Sequence, residues 1–483
     1  TVLWFTYSYD EGTDIVSGTA PADSWVNVWA RDNDSEHGTG VQADINGDWS
    51  FYFNDDDFHV DIKPGTEGSV GRWDDDGDGT EFYWRIPNPS IAVNPENDTV
   101  WGWEFPADTD VTLTITGKVI DNPVVKLNQL EIQLESLEVE NPAESPLPFD
   151  PFAETLPALD YRLDWRYMDL RRAFNFNLFQ VQTTVEMAMR EYWLQHGFLE
   201  VHSPKLTGSP SESGAELFSL DYFERKAYLA QSPQFYKQMA MAAGFERIFE
   251  IGPVFRADPS FTARHMTEFT GVDMEFSWID SHEDVMAFEE NWLQYVYARV
   301  KEQHGDMIKE TFGVDLVVPQ VPFPRIPMRE AVEILKSRGD VMPADKKGDI
   351  DPAGEREIAA YVKEKFGHEF VFLTDWPITV RPFYHMRLAG DETLTRSFDL
   401  IANGLEITTG AQREHRVDVL TRQALEKGLT LEPIQYYLDF FRYGCPPHGG
   451  FGLGLTRLIM VMLNLSNIRE AVYIFRGPTR LNP

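Results

Sequence analysis

The chain predicts an α+β domain, an antiparallel sheet with flanking helices, preceded by an all-β region. Three observations support this. Residues 1–114 alternate aromatic and β-branched runs with Asp, Asn and Gly turns, and Lys63 is the only lysine there. From Tyr161 onward helical and strand periodicities are mixed. The charge also breaks: residues 1–122 hold 25 acidic against 5 basic side chains, in a 483-residue chain with totals of 78 and 42. Such a break suggests a domain boundary near residue 122.

The composition, 42% hydrophobic and 13% aromatic, is that of a globular protein with sizeable cores. A formal charge of −36 repels nucleic acid on average, so an RNA partner must meet a locally basic patch. Cys445 is the only cysteine, which excludes an intrachain disulfide and a cysteine-rich metal site and fits a reducing, cytoplasmic setting. No apolar run approaches the roughly 20 residues of a membrane helix, and the N-terminus lacks a basic, apolar signal pattern, so no membrane is expected.

In the acidic region, VSGTAPADSWVNV (Val16 to Val28) is echoed by VWGWEFPADTDVTL (Val100 to Leu113), a span suited to one β-sandwich. ADINGDWSFYF (Ala43 to Phe53) reads as a turn and an aromatic strand. This pattern resembles the immunoglobulin-like repeats of bacterial surface proteins. The second copy stops after its first strands, as a gene fusion or a sequence-assembly error would leave it. Asp74, Asp75, Asp76 and Asp78 imitate the start of a calcium loop, but Arg85 stands where the bidentate Glu belongs, so a solvated acidic turn is expected.

Beyond Tyr161, Phe174 to His196 has apolar residues at helical spacing and ends at Gly197; Ser281 to Gln303 and Pro352 to Phe366 read as further helices. Strands are expected at 228–230, 370–374, 397–400 and 405–408. Residues 245 to 275 alternate as an antiparallel hairpin around a polar loop, with Arg256 near one strand end and Asp273 and Glu275 on the return. A guanidinium with paired carboxylates on a rigid sheet suits a phosphate-rich, metal-bearing ligand. GFLEVHSPKL (Gly197 to Leu206) is a short strand stopped by Pro204. AQSPQFYKQM (Ala230 to Met239) sets Gln234 and Lys237 three apart on a helical turn. CPPHGGFGLGLTRLIMVML (Cys445 to Leu463) reads as a glycine-rich loop entering an apolar helix, with Arg457 near its start.

In this order these segments resemble the three signature motifs of class II aminoacyl-tRNA synthetases. They are most similar to the archaeal and eukaryotic-like aspartyl-tRNA synthetases without a large insertion between the second and third motifs. The resemblance spans about residues 112 to 483, and with the acidic β-region it implies divisions at 1–111, 112–150 and 151–483. It implies an antiparallel-sheet catalytic domain, a homodimer formed near Pro204, and L-aspartate, ATP and tRNA(Asp) as partners; whether tRNA(Asn) is also charged stays open. Arg256 would bind the ATP α-phosphate, His265 and Arg457 the outer phosphates, and Phe269 the adenine. Asp258, Arg264, Met266 and Gly454 would line the same site, with Arg256 and Arg457 catalytic. Glu406 and Thr409 would ligate Mg²⁺. Arg413 and Lys237 would grip the substrate β-carboxylate, with Gln234, Asp273 and Glu275 completing the pocket and Ser211 and Glu212 on a loop closing over it.

Adenylate formation is an in-line displacement by a carboxylate and needs positioning and charge stabilisation rather than an acid or base. A desolvated Lys/Arg pair facing a neutral amide would cost several kcal/mol, so the pocket favours aspartate over the nearly isosteric asparagine. Asp258 and Thr456 stand where this family more often has Glu. Upstream, only the end of the expected anticodon-binding barrel is recognisable, in 112–150, which predicts intact aspartyl-adenylate chemistry with weakened tRNA charging. The alternatives are an asparaginyl-tRNA synthetase or asparagine synthetase-like relative, and an extracellular β-repeat protein carrying an inert synthetase remnant.

Overall fold

The computed structural model describes residues 5–10, 13–32, 35–54, 59–60, 62–63, 66–73, 79–86, 90–94, 99–103, 113–121, 130–139, 147–153, 155–208, 217–260, 262–339 and 348–483. They fall into two compact units, Thr1–Pro148 and Phe149–Pro483. Among the described residues no helix is long and apolar enough to cross a membrane.

In the first unit all described elements are strands. One sheet has the order Ser8–Asp10, Ile15–Thr19, Asp48–Tyr52; the other has the order Glu36–Gln42, Trp25–Arg31, Glu67–Trp73, Gly79–Arg85. Alternation along Trp25–Arg31 sends Val26, Val28 and Ala30 into a core shared with Val16, Trp49, Phe53, Val70 and Trp84, so the two sheets form a sandwich. The expected turn before the aromatic strand is present: Asp44 accepts from the Asn46 and Asp48 backbone N–H groups, and Gly47 takes φ +91°. Two further hairpins pair Ser90–Asn94 with Thr99–Trp103 and Leu113–Asp121 with Leu130–Val139. Most of the second repeat copy and the Asp74–Asp78 cluster lie outside the described residues.

The second unit is organised by an eight-stranded sheet. Its strands are β1 (Leu199–Glu200), β2 (Arg247–Phe255), β3 (Glu268–Ser277), β4 (Arg325–Pro327), β5 (Phe370–Thr374), β6 (Ser397–Ala402), β7 (Leu405–Arg413) and β8 (His448–Gly454). Their spatial order is β1-β2-β3-β8-β7-β6-β5-β4, with parallel pairing only at the two edges, β1–β2 and β4–β5. Five of its helices bear on the core and the site: α1 (Ala173–Gln195), α2 (Gln234–Ala242), α3 (His282–Phe312), α4 (Pro352–Phe366) and α5 (Leu455–Met462). One sheet face, with Phe249, Met274, Phe451 and Phe398, joins α1 and α3 in the main core around Trp193 and Trp292. Burial of that face leaves the other free for polar chemistry.

Two expectations need correction. Helix α3 runs past Gln303 to Phe312. It is anchored by a capping box between Ser281 and Asp284 and stops where Gly313 turns left-handed at φ +70°; Gly305 inside it is no terminator. The glycine-rich segment is not a loop but the central strand β8, hydrogen-bonded to β3 on one side and β7 on the other. Its glycines make room for neighbouring chains. A Cβ on Gly450 would lie 2.0 Å from the Met274 carbonyl oxygen and 2.4 Å from Glu275 Oε2, and one on Gly452 would lie 3.0 Å from Asp273 Oδ1. Gly450→Ala should therefore lower the urea midpoint, with a loss of about 1–3 kcal/mol or more. Gly454→Ala should cost less, because its Cβ would meet only the Arg457 side chain, at 3.7 Å.

Candidate active site

The register of five strands lines up one row across the free face: Glu250, Asp273, Gly452, Thr409 and Asp399. A second row holds Glu275, Gly450, Ala411 and Ser397. Asp273 and Glu275 thus stand over glycines, on a trough whose floor has no side chains.

Around this trough four charges share a dry patch. Lys237, from α2, is 1% exposed; its Nζ lies 3.0 Å from Asp273 Oδ1 and 3.4 Å from Glu275 Oε2, and donates to the Phe451 carbonyl at 3.0 Å. Arg413, at the end of β7, is 2% exposed; its Nε donates to Glu275 Oε1 at 3.0 Å and its Nη2 to the Gly450 carbonyl at 3.0 Å. Burial pushes the Glu275 carboxyl up, but Arg413 and then Lys237 hold it below its usual value. At Asp273 burial prevails over Lys237 and the carboxyl is raised. Glu275 is therefore the firm counter-ion that ties both cations in place.

Gln234, 4% exposed, donates to Gln238 Oε1 at 3.2 Å, and Tyr437 donates to the same oxygen at 3.0 Å. The Gln238 amide in turn reaches His448 Nε2 at 3.2 Å. Burial pushes His448 down to about 4, so its neutral ring accepts at Nε2 and donates from Nδ1 to the Pro446 carbonyl at 2.8 Å. His385 is likewise lowered well below its usual value by burial and then by Arg413, and takes a bond from Arg413 Nη1 at 3.0 Å.

At the other end of the trough, Arg256 follows β2 and is exposed, its guanidinium 5.4 Å from the centre of the Phe269 ring. Asp258 accepts from the Ser260 N–H at 2.8 Å and lies 4.0 Å from His265 Nε2. Burial and the nearby Arg457 lower His265. Arg264 is paired with Glu355 of α4 at 2.8 Å. Met266, 7% exposed, packs into the main core, so its side chain is committed to packing. Gly454 caps the start of α5. Arg457 Nη1 donates to the Glu406 carbonyl at 2.9 Å and lies 3.6 Å from Glu406 Oε2.

Glu406 and Thr409 are three residues apart in one strand, a spacing that normally puts side chains on opposite faces. The pairing steps from Leu400↔Thr408 to Ile401↔Glu406, leaving Ile407 without a partner. That bulge brings the two together, and Thr409 Oγ1 donates to Glu406 Oε1 at 3.0 Å. It also exposes what the sequence reading missed. Asp399, opposite Thr409 on β6, is 6% exposed, and its Oδ1 has no hydrogen-bond partner. Burial, reinforced by Glu406, pushes its carboxyl up to about 6 against the Arg381 guanidinium 2.7 Å away. The signal was available: Asn403-Gly404 is a two-residue hairpin turn, with φ +47° and +81°, and fixes Asp399 across from the Glu406 strand. Ser211 and Glu212 lie outside the described residues.

The histidines give a pH test. The folded value of His448, about 4, lies below the ordinary 6.5, so its contribution to stability is full above about pH 6.5 and is lost as pH falls toward 4. Glu289, raised by burial to about 8, acts in the opposite sense, so only a variant isolates the histidine. The urea midpoint of His448→Gln should fall less between pH 7 and pH 5 than that of the parent; equal slopes would contradict a buried neutral ring.

The family model for tRNA synthetases class II (D, K and N) matches residues 158–475. An aspartate–tRNA(Asp/Asn) ligase of Aeropyrum pernix is 43% identical over 357 residues, 73% of this chain and 80% of its own length. An aspartate–tRNA(Asp) ligase of Thermococcus kodakarensis is 42% identical over 413 residues, 84% of this chain and 93% of its own. Among solved structures, the asparaginyl-tRNA synthetase of Pyrococcus horikoshii complexed with asparaginyl-adenylate superposes with a TM-score of 0.70 at 28% identity, covering 100% of this chain and 95% of that one. A putative aspartyl-tRNA synthetase from Leishmania major Friedlin gives 0.68 at 27% identity, covering 99% of this chain and 90% of that one. With its charged trough on a largely antiparallel sheet and a family match over most of the second unit, this chain belongs to the class II tRNA synthetases of the D, K and N group.

Proposed function

We infer that this chain is an aspartate–tRNA ligase, which activates L-aspartate with ATP to aspartyl-adenylate and transfers it to tRNA. The observation that carries the aspartate reading is the buried set of Lys237, Arg413, Asp273 and Glu275. Glu275 spends its charge on the two cations. A substrate β-carboxylate would take the place of Asp273 on Lys237 and meet Arg413, releasing Asp273 for the α-ammonium group. Glu275 offsets only one of the two positive charges, so with Asp273 engaged by the ammonium the neutral amide of asparagine would leave the other desolvated and undercompensated, at a cost of several kcal/mol. The aspartate–tRNA ligases named above are 42–43% identical to this chain over the aligned residues, which supports the same choice.

Arg256, beside the trough, would neutralise charge developing on the α-phosphate, with Phe269 as the adenine platform and Arg457 and His265 toward the outer phosphates. No acid or base is required: the substrate carboxylate is the nucleophile and pyrophosphate the leaving group. The oxygen donors Asp399 and Glu406 suit Mg²⁺, and the orphaned Asp399 Oδ1 fits a hard cation. Bound there, Mg²⁺ would offset the negative charge of the phosphates. Thr409, donating to Glu406, orients that carboxylate. We assign residues 112–150 to the end of the anticodon-binding barrel, place the homodimer contact around Pro204, flanked by the exposed Leu199 and Leu206, and place the enzyme in the cytoplasm.

ATP–pyrophosphate exchange tests the reading. Exchange should depend on L-aspartate and be far weaker with L-asparagine; equal exchange would point to the asparaginyl reading, and none from folded protein would defeat both. Lys237→Met should lower aspartate-dependent exchange by roughly 10²-fold or more, the ~3 kcal/mol scale of breaking a buried pair. Asp399→Asn should raise the Mg²⁺ concentration for half-maximal exchange by at least the roughly tenfold that losing even an outer metal partner costs.

A further inference from the structure

The first unit has a feature the synthetase reaction does not use. On the outward face of its four-stranded sheet, Gly38, Trp29, Ser69 and Tyr83 lie in one lateral row, and Gly40, Asn27, Gly71 and Glu81 in the next, with Trp73 opposite Gly79 beyond them. The aromatic side chains are not spent on a core: Trp25 is 59% exposed, Trp73 43% and Tyr83 74%. A groove of about 520 Å³ is lined by Trp73 and Tyr83 together with Trp29, Asn27, Ser69 and Glu81. An aromatic cluster of this kind on a water-facing surface marks an interaction site.

The glycines set the orientation of the rings. A Cβ on Gly71 would lie 2.4 Å from Trp73 Cη2 and one on Gly79 2.2 Å from its Cδ1, so this indole lies flat across two strands. Trp25 covers Gly40 in the same way, with Cε3 3.3 Å from the position of a Cβ. Flat rings present faces, not walls. Polar groups stand between them. The side chains of Asn27 and Ser69 make no hydrogen bond among the described residues. Glu81 accepts from Tyr83 Oη at 2.9 Å, and Glu36 from Trp29 Nε1 at 3.0 Å.

We propose that this face binds a neutral oligosaccharide of pyranose units, stacked on Trp73 and Tyr83 with its hydroxyls on Asn27, Ser69 and Glu81. Sugar rings have an apolar C–H face and a rim of hydroxyls, which matches flat aromatic faces set among amide, hydroxyl and carboxylate groups. Charge excludes the anionic alternatives: with 25 acidic against 5 basic side chains in residues 1–122, the unit repels uronates, sulfated glycans and nucleic acid. Its nearby Arg31 is already paired with Glu67. A cation would instead call for upright rings converging on one point, and a polyproline peptide for slots between ridges.

The test uses the whole chain, titrated by calorimetry with cellohexaose, xylohexaose, mannohexaose and chitohexaose. At least one should bind, and Trp73→Ala and Tyr83→Ala should each weaken it at least tenfold while aspartate-dependent exchange is unchanged. Tyr83 is the more exposed residue, so its variant keeps the test sound should Trp73→Ala misfold. No binding to any of the four, binding that survives both substitutions, or capture of polygalacturonate, hexalysine or a decaproline peptide in place of the sugars would overturn the proposal.

Discussion

A strand with four glycines among its seven residues, β8, makes the second unit possible. Flanked by β3 and β7, it leaves space above the sheet into which Asp273 and Glu275 lean, and Lys237 and Arg413 close on those carboxylates from α2 and from the end of β7. Removing four charges from water costs more than pairing alone returns. Three members have further partners, main-chain carbonyls of Phe451 and Gly450 for the cations and two cations for Glu275, whereas at Asp273 burial prevails and the carboxyl is raised. Such a patch is poorly suited to stabilising a fold and well suited to recognising a ligand that carries both an ammonium and carboxylates.

The neutral histidines belong to the same design. His448 and His385 lie beside Arg413, where a third or fourth positive charge would weaken its hold on Glu275, and burial removes that charge. The chain Tyr437, Gln238, His448 then serves as a rigid, uncharged wall. At the other end of the trough the balance is different: Arg256 is exposed and Arg457 and Glu406 are only partly covered, as would suit the phosphate-binding role proposed for the two arginines.

The first unit obeys another rule. Its core is ordinary, with alternating Val and Ala from Trp25–Arg31 facing inward, but its outer face carries the residues a soluble sheet normally keeps small or polar. Glycines beneath Trp25 and Trp73 show that the backbone accommodates those rings rather than merely tolerating them.

Much was legible from the residues in order. Periodicity placed α1 and α4 within a residue or not at all displaced, and the alternation around Arg256 set Asp273 and Glu275 on one face of a hairpin, because strand side chains repeat every second residue. Residue type also pointed to a phosphate-rich, metal-bearing ligand, and the family resemblance added the carboxylate pocket. What one-dimensional text could not carry was anything that depends on a neighbour in space. The glycines of β8 read as a loop because glycine signals freedom locally, whereas here it signals crowding from Met274 and Glu275 of the adjacent strand. The bulge at Ile407 joins Glu406 to Thr409 and sets Asp399 across from Thr409, and an inserted residue in a ladder is visible only once both strands are paired. Sequence by itself determined the elements and the chemistry on offer. Tertiary pairing decided which charges share a dry surface, since burial and register are properties of contacts, not of residues.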